Sequence, residues 1–340
     1  MTGHVAYAAG SPCPTLVLDA AYIPAATSDL VRHLAVVRRR LAAADRAHIL
    51  KLAVVRPAAH PMYDLDYRFV QALPGGFDRF ELRGSCGHSI LATVAAAERM
   101  GLVRALRPGG RVRVNVLNNG DTVVCEVAAR PAPTDLWFTV HFVQQRPVPL
   151  AELLIAGEPR TVLEAAGRRY EVSLVSSGNP YVFVDARTLG LDAAACLFAA
   201  GDAVHAELVA LRRAAAVRLG WPPDGAFPKI AAVLPDGPGA LAARALSVPS
   251  WHPTIALTGA VCLASAVRIP GTVPAGAAAE GGHLDDTLRI LTAGGRTGVT
   301  TAVEPVAGEP ALCWSSVAGK RVTLEGALPR PARRKADACC

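Results

Sequence analysis

The sequence predicts an α+β fold of two pseudo-symmetric halves, each a sheet wrapped around one central helix. Three observations predict it. Short β-like runs recur along the whole 340-residue chain, bounded by Gly, Pro, Asn and Asp. Two segments, GHSILATVAAAERMG (87–101) and TGAVCLASAVRIPG (258–271), are rich in Ala and nearly free of charge until their last turns. A helix apolar all round must be enclosed on every side, and with strands so abundant the enclosure is a curved sheet. The two segments also align, Cys86-Gly87 over Thr258-Gly259 at a spacing of 172 residues, half the chain, as a duplicated domain would give.

Taken in order, TLVLDA (15–20) opens the strands. TSDLVRHLAVVRRRLAAAD (27–45) is an amphipathic helix with Thr27 or Ser28 as its cap. ILKLAVV (49–55) is the next strand, followed by the first central helix. PGGRVRVNVLNNGDTVVCEVAAR (108–130) predicts a hairpin turning at Asn119-Gly120, and LWFTVHFV (136–143) another strand. YEVSLVSS (170–177) and YVFVDA (181–186) precede one long or two short helices within 193–220. KIAAVLP (229–235), the second central helix and RVTLEGAL (321–328) complete the series.

Composition narrows the classes. With 51% apolar and 19% charged residues the chain is globular. No run approaches the ~18 apolar residues of a membrane helix, and the start lacks a signal peptide's pattern, so a cytoplasmic protein is expected. The net charge is +7, but the basic residues are dense only at 36–46 and 329–340, without interleaved aromatics. A solvated face and a tail explain them better than nucleic-acid binding. The eight cysteines form no C-x-x-C pair and no zinc pattern, so no metal site is expected. Cys125, Cys196 and Cys313 are expected to be buried small hydrophobes. Only four of the 35 basic residues are Lys, at 51, 229, 320 and 335, so each invites a question about its role.

KLAVVRPAAHPMYDLDYRFVQ (51–71), GSCGHS (84–89), SSGNPYVFVDARTLGL (176–191), FPKIAAVLP (227–235) and HPTIALTGAVCLASAVRIPGTV (252–273) together resemble the PrpF family of methylaconitate and oxalomesaconate isomerases. The resemblance covers most of residues 5–330 in order. It implies a diaminopimelate-epimerase-like fold with mostly antiparallel sheets. The active site would lie in the cleft between an N-terminal domain (1–177, central helix near 87–100) and a C-terminal domain (178–310, central helix near 258–269). Residues 311–335 would return to the first domain. It implies no cofactor, and a proton shift that moves a C=C bond in a small unsaturated carboxylic acid. Three departures stand out: AAGSPCP (8–14) replaces a polar family segment, LAAADRAHIL (41–50) a glycine-rich one, and His88 an Asn. SVPSWH (247–252) also lacks the family's Met-Gly-Lys. The substrate implied is therefore less charged than a tricarboxylate.

Such a shift generates a dienolate, and fixed N–H donors at a helix N-terminus suit its charge. Gly87-His88 and Gly259-Ala260 are the expected donors, with glycine admitting the substrate to the backbone. Cys86 precedes a helix N-terminus, which lowers a thiol's pKa and makes it a usable acid or base; the bland alternative is an inert junction thiol. Lys51 matches the family's catalytic Lys and would act as acid or carboxylate anchor, the alternative being a lysine snorkelling from a strand edge. Asn179 could hold a carboxylate or make a turn before Pro180. Ser11 and Cys13 match polar substrate contacts of the family, and Thr258 would be a hydrogen-bonding counterpart of Cys86. His88 is either an acid or simply a helical residue. His252 is expected to orient a loop, and Cys262 to sit in the core. The other functions weighed are a tautomerase of an imine or diene intermediate and a binding protein that has lost turnover. No nucleic-acid or membrane partner is expected; a homodimer is an open option.

Overall fold

The structure, a computed structural model, describes residues 3–247, 250–282 and 285–328. The basic tail (329–340) with Cys339 and Cys340 lies outside them, as do two residues of the SVPSWH stretch.

The first half comprises β1 (Gly3–Ala8), β2 (Thr15–Asp19), α1 (Thr27–Ala43), β3 (Lys51–Pro57), β4 (Leu65–Ala72), β5 (Phe80–Glu81), α2 (Gly87–Arg99), β6 (Arg111–Val116), β7 (Thr122–Ala132) and β8 (Asp135–Pro149). The second comprises β9 (Thr161–Ala165), β10 (Arg168–Ser177), β11 (Asn179–Asp185), α3 (Ala194–Ala199), α4 (Asp202–Arg218), β12 (Lys229–Pro235), β13 (Ala240–Ala245), α5 (Leu257–Ala266), α6 (Val273–Gly281), β14 (Thr287–Thr292) and β15 (Gly295–Val306). The long strand β16 (Glu309–Ala327) ends the described chain and belongs to both halves.

One sheet runs β1-β2-β3-β4-β6-β7-β8-β16-β15-β14-β13-β12-β11-β10-β9, and β1 also pairs with β16, closing the first eight strands of that order into a ring. The ring encloses α2, of which residues 87–97 are all buried; the remaining strands curve around α5, buried along its whole length. Both central helices share one hydrophobic core that draws on both halves. Two smaller clusters lie outside the sheet, where α1 lays Leu30, Leu34, Val37 and Leu41 on β2 and β3, and α4 lays Leu208 and Leu211 on β11 and β12. The spacing of those leucines is that of one helical face.

The duplication shows in the pairing. β2 is parallel to β3, β3 antiparallel to β4, and β4 parallel to β6, with α1 and α2 as the crossovers. β11, β12, β13 and β14 repeat that pattern with α4 and α5.

Several expectations need correction. A boundary at 177 would cut the β10–β11 hairpin: strands 161–177 pair with the second half, because β10 continues its ladder directly into β11. Residues 322–327 pair with β1 in the first half, whereas 309–317 pair with both β8 and β15. The cap of α1 is Ala26, with no side-chain cap bond, instead of Thr27 or Ser28. The second central helix stops at Ala266; after Pro270-Gly271 the Thr272 hydroxyl accepts from Ala275 N–H and starts α6, which sequence reading passed over. Cys125 is fully buried, but Cys196 is exposed on the short α3 and Cys313 half-buried. Cys262 is core, as expected, its thiol against the Val175 carbonyl.

Candidate active site

A small pocket of about 40 Å³ lies between the halves, lined by Lys51, Cys86, Asn179, Lys229, His252 and Thr258 among others. Lys51, the first residue of β3, is buried at 4% exposure, and its Nζ donates to Ser11 Oγ at 2.8 Å. Ser11 in turn donates to the Cys13 carbonyl at 2.8 Å. The Ser11 proton is thus committed to Cys13, which leaves the hydroxyl oxygen to accept from Lys51 and position it. Neither Ser11 nor Cys13 lines the pocket, so the expectation of direct substrate contact is replaced by support from behind.

Cys86 is the cap residue of α2, in an extended conformation. Burial pushes its thiol up, but the Lys51 charge and the Ser89 N–H and hydroxyl outweigh that and hold it below the ordinary thiol value. Cys13 shows the contrast: burial dominates and its thiol is raised.

The first intrahelical bonds of α2 and α5 are Ile90 N–H to Cys86 O and Ala260 N–H to Ala256 O. The donors left over are therefore those of Gly87 and His88, and of Leu257, Thr258 and Gly259, while the Ser89 N–H is turned to the Cys86 thiol. This corrects Ala260, whose N–H is already committed at 2.8 Å. The true counterpart of Cys86 is the cap Ala256; Thr258 is the second residue inside its helix. The glycines also meet a packing requirement. A Cβ on Gly87 would sit 2.7 Å from Leu257 Cβ, and one on Gly259 2.3 Å from Tyr181 Oη. They let the two helix starts and a tyrosine ring close up.

Asn179 joins the halves. Its Oδ1 accepts from Ser85 N–H (3.1 Å) while its Nδ2 donates to Ser85 O (2.8 Å) and Thr258 Oγ1 (3.0 Å). It straps the Cys86 loop to the start of α5, which commits the amide expected to hold a carboxylate. His88 is buried on α2 and does not line the pocket; burial first, then the Lys51 charge, holds its ring well below the usual histidine range, which argues against an acid role. It stacks on His252 with centroids 5.9 Å apart.

Sequence reasoning missed Tyr181 and Lys229 as pocket residues. Lys229, the first residue of β12, is half-buried; its ammonium lies 5.1 Å from the Phe227 ring centre and has no hydrogen-bond or ion-pair partner among the described residues. Burial pushes it down to about 8. The scarcity of lysine was the available signal. Ala226, Lys229 and Ser247 also wall a larger cavity of about 470 Å³ on the outer side, with Arg79, Arg212 and His205.

Two repeated sheet-around-helix units, with a thiol at the start of one central helix facing the crevice between them, define the diaminopimelate-epimerase-like class. Within it the chain belongs to the PrpF family: the family model described as PrpF protein matches residues 138–308. The chain is 28% identical over 312 residues to the (4E)-oxalomesaconate Delta-isomerase of Novosphingobium sp. (strain KA1), covering 84% of this chain and 80% of that one. It is 25% identical over 278 residues to the 3-methylitaconate isomerase of Eubacterium barkeri, covering 71% and 73%. The crystal structure of a methylitaconate-delta-isomerase superposes with a TM-score of 0.66 at 22% identity, covering 96% of this chain and 95% of that one. The protein is an isomerase. Among the described residues no helix is long and apolar enough to cross a membrane, and no cluster of three or more His, Cys, Asp or Glu is arranged to hold a metal ion.

Proposed function

We propose that the protein moves a C=C bond in a small unsaturated carboxylic acid by proton transfer, using Lys51 and Cys86 and no organic cofactor. The observation that carries this reading is the convergence of a buried ammonium and a thiol on one pocket, beside the unpaired N–H groups of two helix starts. Because the Lys51 charge favours the thiolate, Cys86 is the base and Lys51 the acid in one direction. The thiolate takes a proton from the saturated carbon, breaking C–H and forming S–H. The electron pair delocalises toward the carboxylate, whose charge the helix N–H groups offset. Lys51 then returns a proton at the far alkene carbon. Transfer from thiol to amine, directly or through solvent, resets the pair.

The rest of the acid would extend past Lys229 toward the larger cavity, where Arg79 and Arg212 suit a second anionic group. The named substrates of the relatives, methylitaconate and oxalomesaconate, support this class of acid. All six described cysteines are unpaired, which suits a reducing cytoplasm. The test is incubation with methylitaconate and related acids in deuterium oxide. Enzyme-dependent deuterium incorporation with double-bond migration is expected; neither appearing with any such acid overturns the reading.

A further inference from the structure

We propose that His252 is a fixed, uncharged hydrogen-bond donor to the substrate's developing oxyanion, acting through Nε2–H. This rests on the reaction proposed above.

His252 is 5% exposed and lines the same pocket as Lys51 and Cys86. Its backbone is held by the bond from its N–H to Ala245 O (2.9 Å), and the turn after it by Thr254 Oγ1, which donates to Gly10 O at 2.9 Å. The Thr254 N–H points at the ring and donates to Nδ1 at 3.2 Å. A backbone N–H can only donate, so Nδ1 must offer a lone pair, and the proton of the neutral ring is on Nε2. Nε2 is buried and has no partner among the described residues. Leaving a buried donor unpaired is costly, and an acceptor arriving in the pocket would relieve that cost.

The charges around the ring keep it in that state. Lys51 and Lys229 face it from β3 and β12, and His88 stacks on it from α2. Burial first, then the Lys51 ammonium, pushes its titration down to about 3, so it remains neutral where the thiol and the ammonium do their work. A ring that neither gains nor gives up a proton can still strengthen its hydrogen bond as negative charge builds on an enolate oxygen. It requires no reorganisation to do so. The ring therefore complements the helix N–H groups: they serve one oxygen region and Nε2–H another.

Ring-nitrogen NMR of the protein with labelled histidine, together with deuterium incorporation by His252→Gln and His252→Ala, tests this. His252 should hold its proton on Nε2 and stay uncharged from about pH 5 to 8, the range of ordinary histidine titration. His252→Ala should lose roughly 10²–10³ in kcat, the usual effect of removing one oxyanion donor, while His252→Gln, which keeps an N–H, should recover most of it. Thermal unfolding of both variants identifies a general loss of structure, in which case ring NMR of the wild type decides. A protonated ring in that range, an Nδ1–H tautomer, or a folded His252→Ala with unchanged kcat would each overturn the proposal. If the wild type itself incorporates no deuterium, the reaction reading fails, and this role with it, whatever tautomer the ring shows.

Discussion

Lys51 and Lys229 occupy the same place in the two halves. Each opens the strand that follows a 17-residue outer helix, each pairs in parallel with the strand before that helix, and both reach one pocket. Their surroundings have diverged. Lys51 is tied to Ser11, whereas Lys229, among the described residues, has only an aromatic face and looks toward the larger cavity. Lys229→Gln should therefore raise KM for a dianionic acid by roughly 10-fold or more, the worth of a hydrogen bond to a charged group, and leave kcat within a few-fold. The pH dependence has a definite sign. A lysine is charged below its pKa, so anion affinity is present below about pH 8 and declines above it. The KM of Lys229→Gln should lack that alkaline rise.

Lys51→Gln and Cys86→Ala should each reduce deuterium incorporation by at least ~10²-fold, the low end for a lost general acid or base. Single-turnover rates check this, and retention of wild-type kcat by either variant would remove that residue from the chemistry.

The Cys86 thiol should titrate below the ordinary thiol range, with reactivity present above its pKa and lost as pH falls through it. Alkylation rate against pH measures this directly. Lys51→Gln should move the limb upward, since the first opposing influence to its burial, the Lys51 charge, is gone.

Ser11→Ala removes the acceptor of the buried Lys51 ammonium. Losing a hydrogen bond to a charged group costs about 1.5–3 kcal/mol. We expect roughly a 10-fold loss in kcat, with KM nearly constant because Ser11 does not line the pocket.

Gly259→Ala brings a methyl within 2.3 Å of Tyr181 Oη, and the tyrosine, stacked on Phe183, has little room to retreat. Overpacking of this kind costs about 1–3 kcal/mol. A lowered unfolding midpoint is expected; an unchanged midpoint would show that the ring moves freely.

Much of the architecture was legible because it follows from patterns that local physics enforces. The two uncharged Ala-rich segments could only be enclosed helices, and the Asn119-Gly120 turn does join β6 to β7. Cys86 and Lys51 could be named because the resemblance to the PrpF family added to a helix start and a rare lysine, both visible in one dimension. What escaped depends on contacts between distant residues. Ser11 looked like a substrate contact until the structure gave it Lys51 as a partner. Asn179 looked like a carboxylate holder or a turn, and instead spans Ser85 and Thr258. Gly87 and Gly259 were assigned to substrate approach, and their crowding by Leu257 and Tyr181 went unseen. The assignment of Ala260 as a donor failed by a shift of one residue in the helix start, which decides whether an N–H is committed. α6 is mostly Ala and Gly with a single charge, Glu280, and no clear periodicity, so only its Thr272 cap announced it.

The pairing of β1 with the end of β16 brings together residues such as Ala6 and Leu324. During synthesis β1 must therefore wait for β16, which follows both halves in the sequence, before its second neighbour exists. The barrel that these two strands close is consequently a late product of folding, although its other strands precede the second half. A fragment cut after β8 would carry an open seam on both sides, with α2 exposed along it, and neither half is expected to persist without the other.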